Sequence, residues 1–510
     1  TCLFHYYLCC RCGGGMEFRM KRFISLALAI ILLVFCALPG NAGAVTQPQK
    51  ASALQGEKLP LIIVRGMDSD DLIVDYGNGE TGPPILPLET GEAVKTVFKA
   101  IGTGIVHFSF DKGFDVVLDY ANSILANMAC DITGTPVRRA AIPTYPLAAG
   151  HYEKLMTSTD YSEGNIVKAS IERYGADYTY YFAYDWRVDP LENADGIAAL
   201  IDRALAEHNT TKVNLVCASL GGVQTVAYLT KYGYEKLHKI VFVSSAFYGD
   251  YFAADLFNGD LSLDGETLYN AAAGDPDEDK VVSVLLKVLY QTGVFNTIAK
   301  IGNSVVNRVK DRVYDKVLVS KMGYIPSYWA LVLPEHYDSA IQTMFGDNLQ
   351  ANADFIAKAD ELQRMMTGRD ALLQEAAAAG VEIAVIAGYN KGAIPVGSHG
   401  GANGDGTLET ALMAGGGSAA KFGKTLGSGY VPADPACISP DKIVDTSGCL
   451  FPASTWVIKD APHVGCRYGS TYSAFLFWLL NYDGQPTVTS NPAFPRFMQT
   501  NGNQDLFPLQ

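Results

Sequence analysis

A serine lies between a short apolar run and a helical pattern, which is a setting that can activate its hydroxyl group. Residues 213–232 read VNLVCASLGGVQTVAYLTKY. The apolar run predicts a strand that ends near Cys217, and Gly221 and Gly222 begin a helix close behind Ser219. A strand–turn–helix of this kind is a nucleophile elbow, in which small neighbours let the two backbones approach. Cys217 stands where the G-x-S-x-G pattern has its first glycine. We predict Ser219 as a nucleophile.

A serine hydroxyl needs a base, and four histidines follow Ser219 along the chain. His238 begins a predicted strand, far from the edge where ligands bind. His336 falls within residues 248–380, a helical interval that is predicted to form a cap over the sheet. His399 and His463 remain. His463 comes just after the last predicted strand, at its carboxyl end. Position and chain order favour His463 as the base.

The acid of such a triad should follow the strand before the one that leads to the histidine. In this fold the chain order is serine, acid, histidine. Asp405 lies in the glycine-rich stretch after the predicted strand at 381–387, and only His463 follows it among the histidines. Asp460, three residues from His463, is the competing candidate. We predict the triad Ser219, Asp405 and His463, in which Asp405 holds the imidazole tautomer.

Two backbone N–H groups should stabilise the oxyanion that forms during acyl transfer. One belongs to Leu220, the residue after the nucleophile. The other belongs to the turn after the first strand, where Gly66 gives the chain freedom to turn and Met67 is our choice.

The elements that must position these residues alternate between strand and helix. Helical patterns at 194–207 and 222–232, the second ended by Gly233, fall between buried strands. This alternation predicts an α/β fold with a mostly parallel sheet covered by helices on both faces. The predicted strands are 61–64, 180–183, 213–217, 240–243, 383–386 and 455–458.

Three long intervals interrupt this alternation. Residues 248–380 contain no convincing buried strand and are mostly helical in pattern, so we predict a helical cap inserted over the sheet. A second insertion separates the first strand from residue 180. The third, at 388–435, is rich in glycine and alanine and is predicted as a loop.

Four short segments of the chain resemble the lecithin:cholesterol acyltransferase family, which includes phospholipid:diacylglycerol acyltransferases and related bacterial lipases. Arg65-Gly66-Met67 corresponds to its oxyanion turn, with arginine in place of proline, and Gly404-Asp405-Gly406-Thr407 resembles its acid motif, followed by Leu408 in place of valine. Tyr184-Asp185-Trp186-Arg187 and Pro326-Ser327-Tyr328-Trp329-Ala330 resemble two further segments. The resemblance is to an exported, bacterial-type member. It implies an α/β-hydrolase fold, no metal or other cofactor, an acyl-serine intermediate and a lipid ester substrate, and with it contact between the cap and a lipid surface.

Composition and the amino terminus indicate where the protein works. The 510 residues carry a formal charge of -14, which excludes nucleic acid as an expected partner because phosphate backbones are repelled. Residues 1–15 are interpreted as translated upstream sequence. Residues 16–44 are predicted as a signal peptide, with a basic start at Lys21, an apolar run at 23–38 and cleavage after Ala44. Residues 45–510 then form the hydrolase domain, outside the cytoplasm.

Five cysteines lie beyond the predicted signal peptide, and none has zinc-ligand spacing. They are Cys130, Cys217, Cys437, Cys449 and Cys466. An exported protein can form disulfides, and Cys437 and Cys449, which flank a loop, are the best candidate pair.

Together these features predict a secreted serine-dependent acyl-ester hydrolase or O-acyltransferase. The alternative from another class is a secreted binding protein that keeps the fold without turnover. The sequence does not separate hydrolase from transferase, because that depends on whether water or an alcohol reaches the acyl-enzyme.

Overall fold

The computed structural model describes residues 58–67, 72–85, 110–157, 162–273 and 280–510. The predicted upstream extension, signal peptide and cleavage site therefore lie outside the described residues. Of the helices in the described ranges, none has the length and apolar content that a membrane span requires.

An eight-stranded sheet forms the centre of the fold. Neighbouring strands of this sheet run parallel, except for the two strands at one edge, which are antiparallel to each other. This mostly parallel sheet confirms the α/β fold class predicted from the sequence. In spatial order the strands are β5 (Thr179–Phe182), β1 (Leu61–Val64), β6 (Val213–Ala218), β7 (Leu237–Val243), β8 (Glu382–Tyr389), β13 (Thr455–Lys459), β14 (Phe497–Thr500) and β15 (Leu506–Pro508).

In the described ranges, seven further strands form small sheets besides the central one. They are β2 (Ile73–Asp75), β3 (Thr81–Pro84), β4 (Ala140–Ala141), β9 (Lys391–Gly392), β10 (Asn403–Gly404), β11 (Ser418–Ala419) and β12 (Val444–Asp445).

Helices connect the strands and cover the sheet. Before β7 they are α1 (Phe110–Leu125), α2 (Glu153–Thr157), α3 (Ser162–Arg173), α4 (Pro190–His208) and α5 (Gly221–Tyr232). Between β7 and β8 they are α6 (Tyr251–Phe257), α7 (Gly265–Ala273), α8 (Lys280–Gln291), α9 (Val294–Val313), α10 (Val319–Lys321), α11 (Pro326–Leu331), α12 (Pro334–Phe345) and α13 (Ala353–Ala378), with a π-helical turn at Tyr314–Leu318. After β8 come α14 (Thr410–Met413) and α15 (Thr471–Asn481).

Alternate residues of the strands point into two separate apolar layers, as the two-residue period of a strand requires. In β1, Ile62 and Val64 pack with α4, α5 and α13, whereas Leu61 and Ile63 pack with α3 and α15. Both faces of the sheet are thus covered, which explains why its strands are continuously apolar.

The described part of the segment between β7 and β8 consists of helices joined by turns and short loops, and it contains no strand. Its helices pack around an apolar core of their own, with Phe257, Trp329, Phe345 and Phe355 near its centre. The long helix α13 also contributes to the layer against the sheet. The cap is therefore joined to the sheet by packing as well as by its two chain connections.

The five cysteines are buried thiols in the described structure. The candidate pair Cys437 and Cys449 is not bonded, so no disulfide closes the loop between them.

Candidate active site

Ser219 lies in a sharp turn between β6 and α5. Its φ is 51°, a left-handed conformation that is uncommon for a residue other than glycine. The Ser219 N–H donates to the carbonyl of Ser244 at 3.1 Å, and its own carbonyl accepts from Gly222 and Ala246 at 3.1 and 2.9 Å. These bonds hold the strained turn, which presents the hydroxyl group above the sheet.

Two glycines make this turn sterically feasible. A Cβ atom on Gly221 would lie 2.4 Å from the carbonyl oxygen of Val64, and one on Gly222 would lie 1.9 Å from Ser245 Oγ. The position of the motif's first glycine, by contrast, accommodates Cys217, which is fully buried. Burial raises the pKa of the Cys217 thiol to about 12, so this thiol is not a competing nucleophile at neutral pH.

His463 connects the serine to the predicted acid. It follows β13, and its Nε2 lies 2.9 Å from Ser219 Oγ while its Nδ1 lies 2.8 Å from Asp405 Oδ2. Both distances are those of hydrogen bonds. The three side chains, which are far apart in sequence, are therefore brought together in the order that general-base activation of a serine requires.

The carboxylate of Asp405 is fixed by its own loop. It is 1% exposed, and its second oxygen accepts the N–H groups of Thr407 and Leu408 at 3.0 and 2.9 Å. Gly388, at the end of β8, leaves room for it, because a Cβ atom there would lie 2.7 Å from Asp405 Cβ. The glycine-rich segment thus closes tightly around the acid.

Asp460, the competing acid, has other partners. Its Oδ1 accepts a hydrogen bond from Asn390 Nδ2 at 2.6 Å, and its Oδ2 accepts one from Gln499 Nε2 at 3.2 Å. Closeness in sequence to His463 does not bring its carboxylate to that imidazole.

The predicted oxyanion donors end at the same edge of the sheet. The register of β1 and β6 sets Val64 beside Cys217. Met67 and Leu220 each follow three residues later, so their backbones leave neighbouring strands together. The order of the sheet strands along the chain reverses between β1 and β6, which is where ligands bind in open α/β sheets. Their role as donors stays a prediction.

The other three histidines that follow Ser219 do not join this hydrogen-bond chain. His238 lies near the start of β7, at the opposite end of that strand from Ser244, and His336 lies in α12 of the cap. His399, the alternative base, has an aspartate of its own, since its Nδ1 lies 2.8 Å from Asp255 Oδ1.

Two buried carboxyl groups near the triad are not predicted from the sequence. Asp250 caps α6 by accepting the Phe252 N–H at 2.9 Å, and burial, reinforced by the charge of Asp255 and opposed by His463, raises its pKa to about 7. Burial, followed by the charge of Asp250, raises the pKa of Glu409 well above its ordinary value. Their setting depends on the cap folding back on the sheet, so no local motif marks them.

The segments that resemble the acyltransferase family hold an insertion in place and supply aromatic side chains beside the predicted oxyanion turn. The buried Arg187 guanidinium pairs with Asp185 at 2.6 Å and donates to the carbonyls of Asn127 and Arg138, which ties down the insertion after β1. Trp186 is buried and stacks on Tyr328 with ring centroids 5.7 Å apart. The Tyr328 hydroxyl lies 3.9 Å from the Met67 sulfur, so one side of this pair borders the predicted oxyanion turn.

In the described parts of the chain, no three His, Cys, Asp or Glu side chains are grouped so that they could hold a metal ion.

Comparison with known proteins gives a distant structural similarity. No protein-family model matches the chain, and no curated protein matches it. Among solved structures, a chain in "The crystal structure of Tle4-Tli4 complex" resembles it with a TM-score of 0.33 and 11% sequence identity, over 84% of this chain and 98% of that one.

Proposed function

We propose that this protein is an exported serine hydrolase or O-acyltransferase that acts on lipid esters through an acyl-serine intermediate. The observation that carries the proposal is the chain of hydrogen bonds from Ser219 through His463 to Asp405. A protein that only bound a ligand would have no need of all three side chains in this order.

In the acylation half-reaction, Ser219 Oγ attacks the ester carbonyl carbon while His463 Nε2 takes the hydroxyl proton. Asp405 accepts the Nδ1–H and stabilises the imidazolium that forms. The negative oxygen of the tetrahedral intermediate accepts hydrogen bonds from the N–H groups of Leu220 and Met67. When the intermediate collapses, the bond to the alcohol oxygen breaks and the alcohol leaves with the proton from His463.

The second half-reaction repeats these roles with a different nucleophile. Water or an alcohol attacks the acyl-serine carbonyl, and His463 takes its proton and returns it to Ser219 Oγ. Water yields a free fatty acid, whereas an alcohol yields a new ester. Which product forms depends on what reaches the acyl-enzyme.

The proposal of a lipid substrate is supported by apolar side chains beside the predicted oxyanion turn. Tyr328, stacked on Trp186, and the Met67 side chain offer aromatic and aliphatic surface beside the predicted oxyanion turn. An acyl chain is accommodated by surface of this kind, because contact removes apolar area from water. The family resemblance supports the same substrate class.

A fluorophosphonate probe tests the chemistry directly. We expect it to label wild-type protein at Ser219, and the Ser219→Ala variant to keep its fold while losing both labelling and ester turnover, by on the order of a million-fold in rate. Near-normal turnover in a clean Ser219→Ala preparation would sink the proposal. A folded wild-type protein that resists the probe would favour the alternative, a secreted binding protein.

Product analysis then separates the two enzyme classes. Phospholipid is supplied with and without an added long-chain alcohol, and free fatty acid and new ester are quantified. New ester at the expense of fatty acid identifies a transferase, and unchanged fatty acid release identifies a hydrolase.

A further inference from the structure

The loop that carries Asp405 is attached to the first cap helix on both sides of that residue. We call residues 397–409 the acid loop. One attachment, at His399, comes six residues before Asp405, and the other, at Glu409, comes four residues after it. Both are made to α6, the short helix that leads from β7 into the cap.

The first attachment is a bidentate contact to a buried carboxylate. Asp255 Oδ1 lies 2.8 Å from His399 Nδ1, and Asp255 Oδ2 accepts the His399 N–H at 2.9 Å. Ser398 adds a hydrogen bond from its hydroxyl to Asp255 at 3.1 Å and one from its N–H to Asp260 at 2.8 Å. Burying a carboxylate costs free energy unless its oxygens find partners, and here the acid loop supplies them.

The second attachment and a ring contact join the same helix. Glu409 Oε2 accepts the Tyr251 N–H at 3.3 Å. The Tyr251 ring lies flat on the His399 ring, with centroids 4.1 Å apart and planes at 4°. One residue of α6 therefore contacts both ends of the acid loop.

Between the two attachments the acid loop is internally hydrogen bonded. The Ala402 N–H donates to the His399 carbonyl at 2.8 Å, and the Asp405 N–H donates to the Leu408 carbonyl at 3.1 Å. Together with the bonds from Thr407 and Leu408 to the Asp405 carboxylate, they leave little freedom within the loop. A shift of α6 is therefore transmitted to Asp405.

We propose that Asp255 and His399 are positioning residues, which hold the Asp405 carboxylate at His463 and thereby make the triad depend on a seated cap. This inference rests on the proposed serine chemistry. His399 acts through its Nδ1 side, which faces Asp255, and does not touch the reacting atoms. The function of this second Asp–His pair is thus to align the first.

Two substitutions of His399 separate positioning from general stability. His399→Asn retains a donor near the place of Nδ1, whereas His399→Leu removes it. Asp255→Asn leaves an amide where the loop requires a carboxylate. The matched control is Asp360→Asn, which makes the same change from carboxylate to amide inside the cap, at the acceptor of the 2.6 Å bond from the Tyr337 hydroxyl, without touching the acid loop.

The measurements are the second-order rate of fluorophosphonate labelling at Ser219 from pH 5 to 9 and the turnover of p-nitrophenyl butyrate. We expect His399→Leu and Asp255→Asn to slow both by about ten- to a hundred-fold, because a small displacement of a catalytic group costs this much. The acid limb of the profile should move to lower pH, since a His463 imidazolium less well paired with Asp405 loses its proton more easily. His399→Asn and Asp360→Asn should retain the wild-type profile.

Wild-type labelling rates and an unmoved profile in folded His399→Leu and Asp255→Asn would overturn the inference. So would equal losses in His399→Leu and His399→Asn. If these variants do not fold, Tyr251→Leu, which removes the ring contact and keeps the backbone bond to Glu409, decides the matter by the same profile. Failure of the wild-type protein to react at Ser219 would instead remove the proposed function, and with it this inference.

Discussion

At the level of single residues, Asp405 and Asp460 differ in their partners. Asp405 is buried and faces His463, whereas Asp460 is bonded to Asn390 and Gln499. We therefore expect Asp405→Asn to reduce acylation by about ten-thousand-fold, because the imidazole loses its tautomer and its counter-charge. Asp460→Asn should retain most of the rate.

The comparison requires both variants to be folded, as checked by circular dichroism and thermal unfolding. Acylation is then followed with the fluorophosphonate probe. An inactive Asp460→Asn beside a near-normal Asp405→Asn would show that the acid is assigned to the wrong residue, although Ser219 and His463 could stand.

Local sequence is sufficient to select Ser219, Asp405 and His463 as candidates, because each follows a strand that ends at the binding edge of the sheet. Asp255 was not predictable in this way. Its partner His399 is 144 residues further along the chain, and the pairing forms only when the cap folds back. Asp250 and Glu409 escape sequence reasoning for the same reason, since burial and neighbouring charges in the folded protein change their chemistry.

At the level of elements, the N-cap residue of α6 is Asp250. It accepts a hydrogen bond that stabilises the start of the helix, but its burial makes the charged carboxylate unfavourable. Burial raises the pKa of Asp250 from its ordinary 3.8 to about 7, so folding takes up a proton at intermediate pH. The raised pKa of Asp250 adds to the free energy of unfolding. This contribution is complete at low pH, where the carboxyl group is protonated, and is lost as the pH rises through about 7. Asparagine caps a helix as well as aspartate and has no charge to bury.

We therefore expect Asp250→Asn to raise the melting temperature at pH 8 and to change it little at pH 4. Thermal unfolding of the variant and wild type at several pH values measures the difference. An offset between the two proteins that stays constant from pH 4 to pH 8 would contradict the assigned pKa shift.

The strands that sequence periodicity predicts best are those buried on both faces. β1 begins and ends as predicted, and β6 extends one residue further, to Ala218. β7 begins at Leu237, earlier than predicted, because it includes Lys239, whose buried ammonium group pairs with Glu382 at 2.7 Å, a contact between two strands that no single run shows. The short strands β14 and β15, at the edge of the sheet, lack an apolar run, so sequence periodicity does not predict them.

At the level of the whole molecule, the predicted leader concerns where the protein is located. We propose that residues 16–44 direct export and that the mature protein begins at about Val45. Mass spectrometry of the amino terminus after cell fractionation tests this, and Ala44→Phe, which puts a bulky side chain at the predicted cleavage site, should leave a longer precursor. An intact Met20 on a cytoplasmic protein would refute the proposal.

The cap also carries exposed apolar side chains on one of its helices. Val284 and Val288 on α8 are 64% and 47% exposed, and their spacing of four residues sets them on one face of the helix, beside the exposed Lys287. Exposed apolar side chains next to a cation are suited to the boundary of a lipid layer, where the valines leave water and the ammonium group stays hydrated. We propose that this face of α8 contacts the surface that holds the substrate.

The Val284→Ser/Val288→Ser variant should bind vesicles of phosphatidylcholine and phosphatidylglycerol at least about ten-fold more weakly, because burial of even one valine is worth about 1.5 kcal/mol or more. Turnover of the soluble ester p-nitrophenyl butyrate should be unchanged, since neither valine belongs to the proposed triad. Val431→Ser is the matched control, because Val431 is 85% exposed but lies in a loop outside the cap. Co-sedimentation measures binding, and equal losses in the control, or none in the double variant, would show that α8 is not the contact surface.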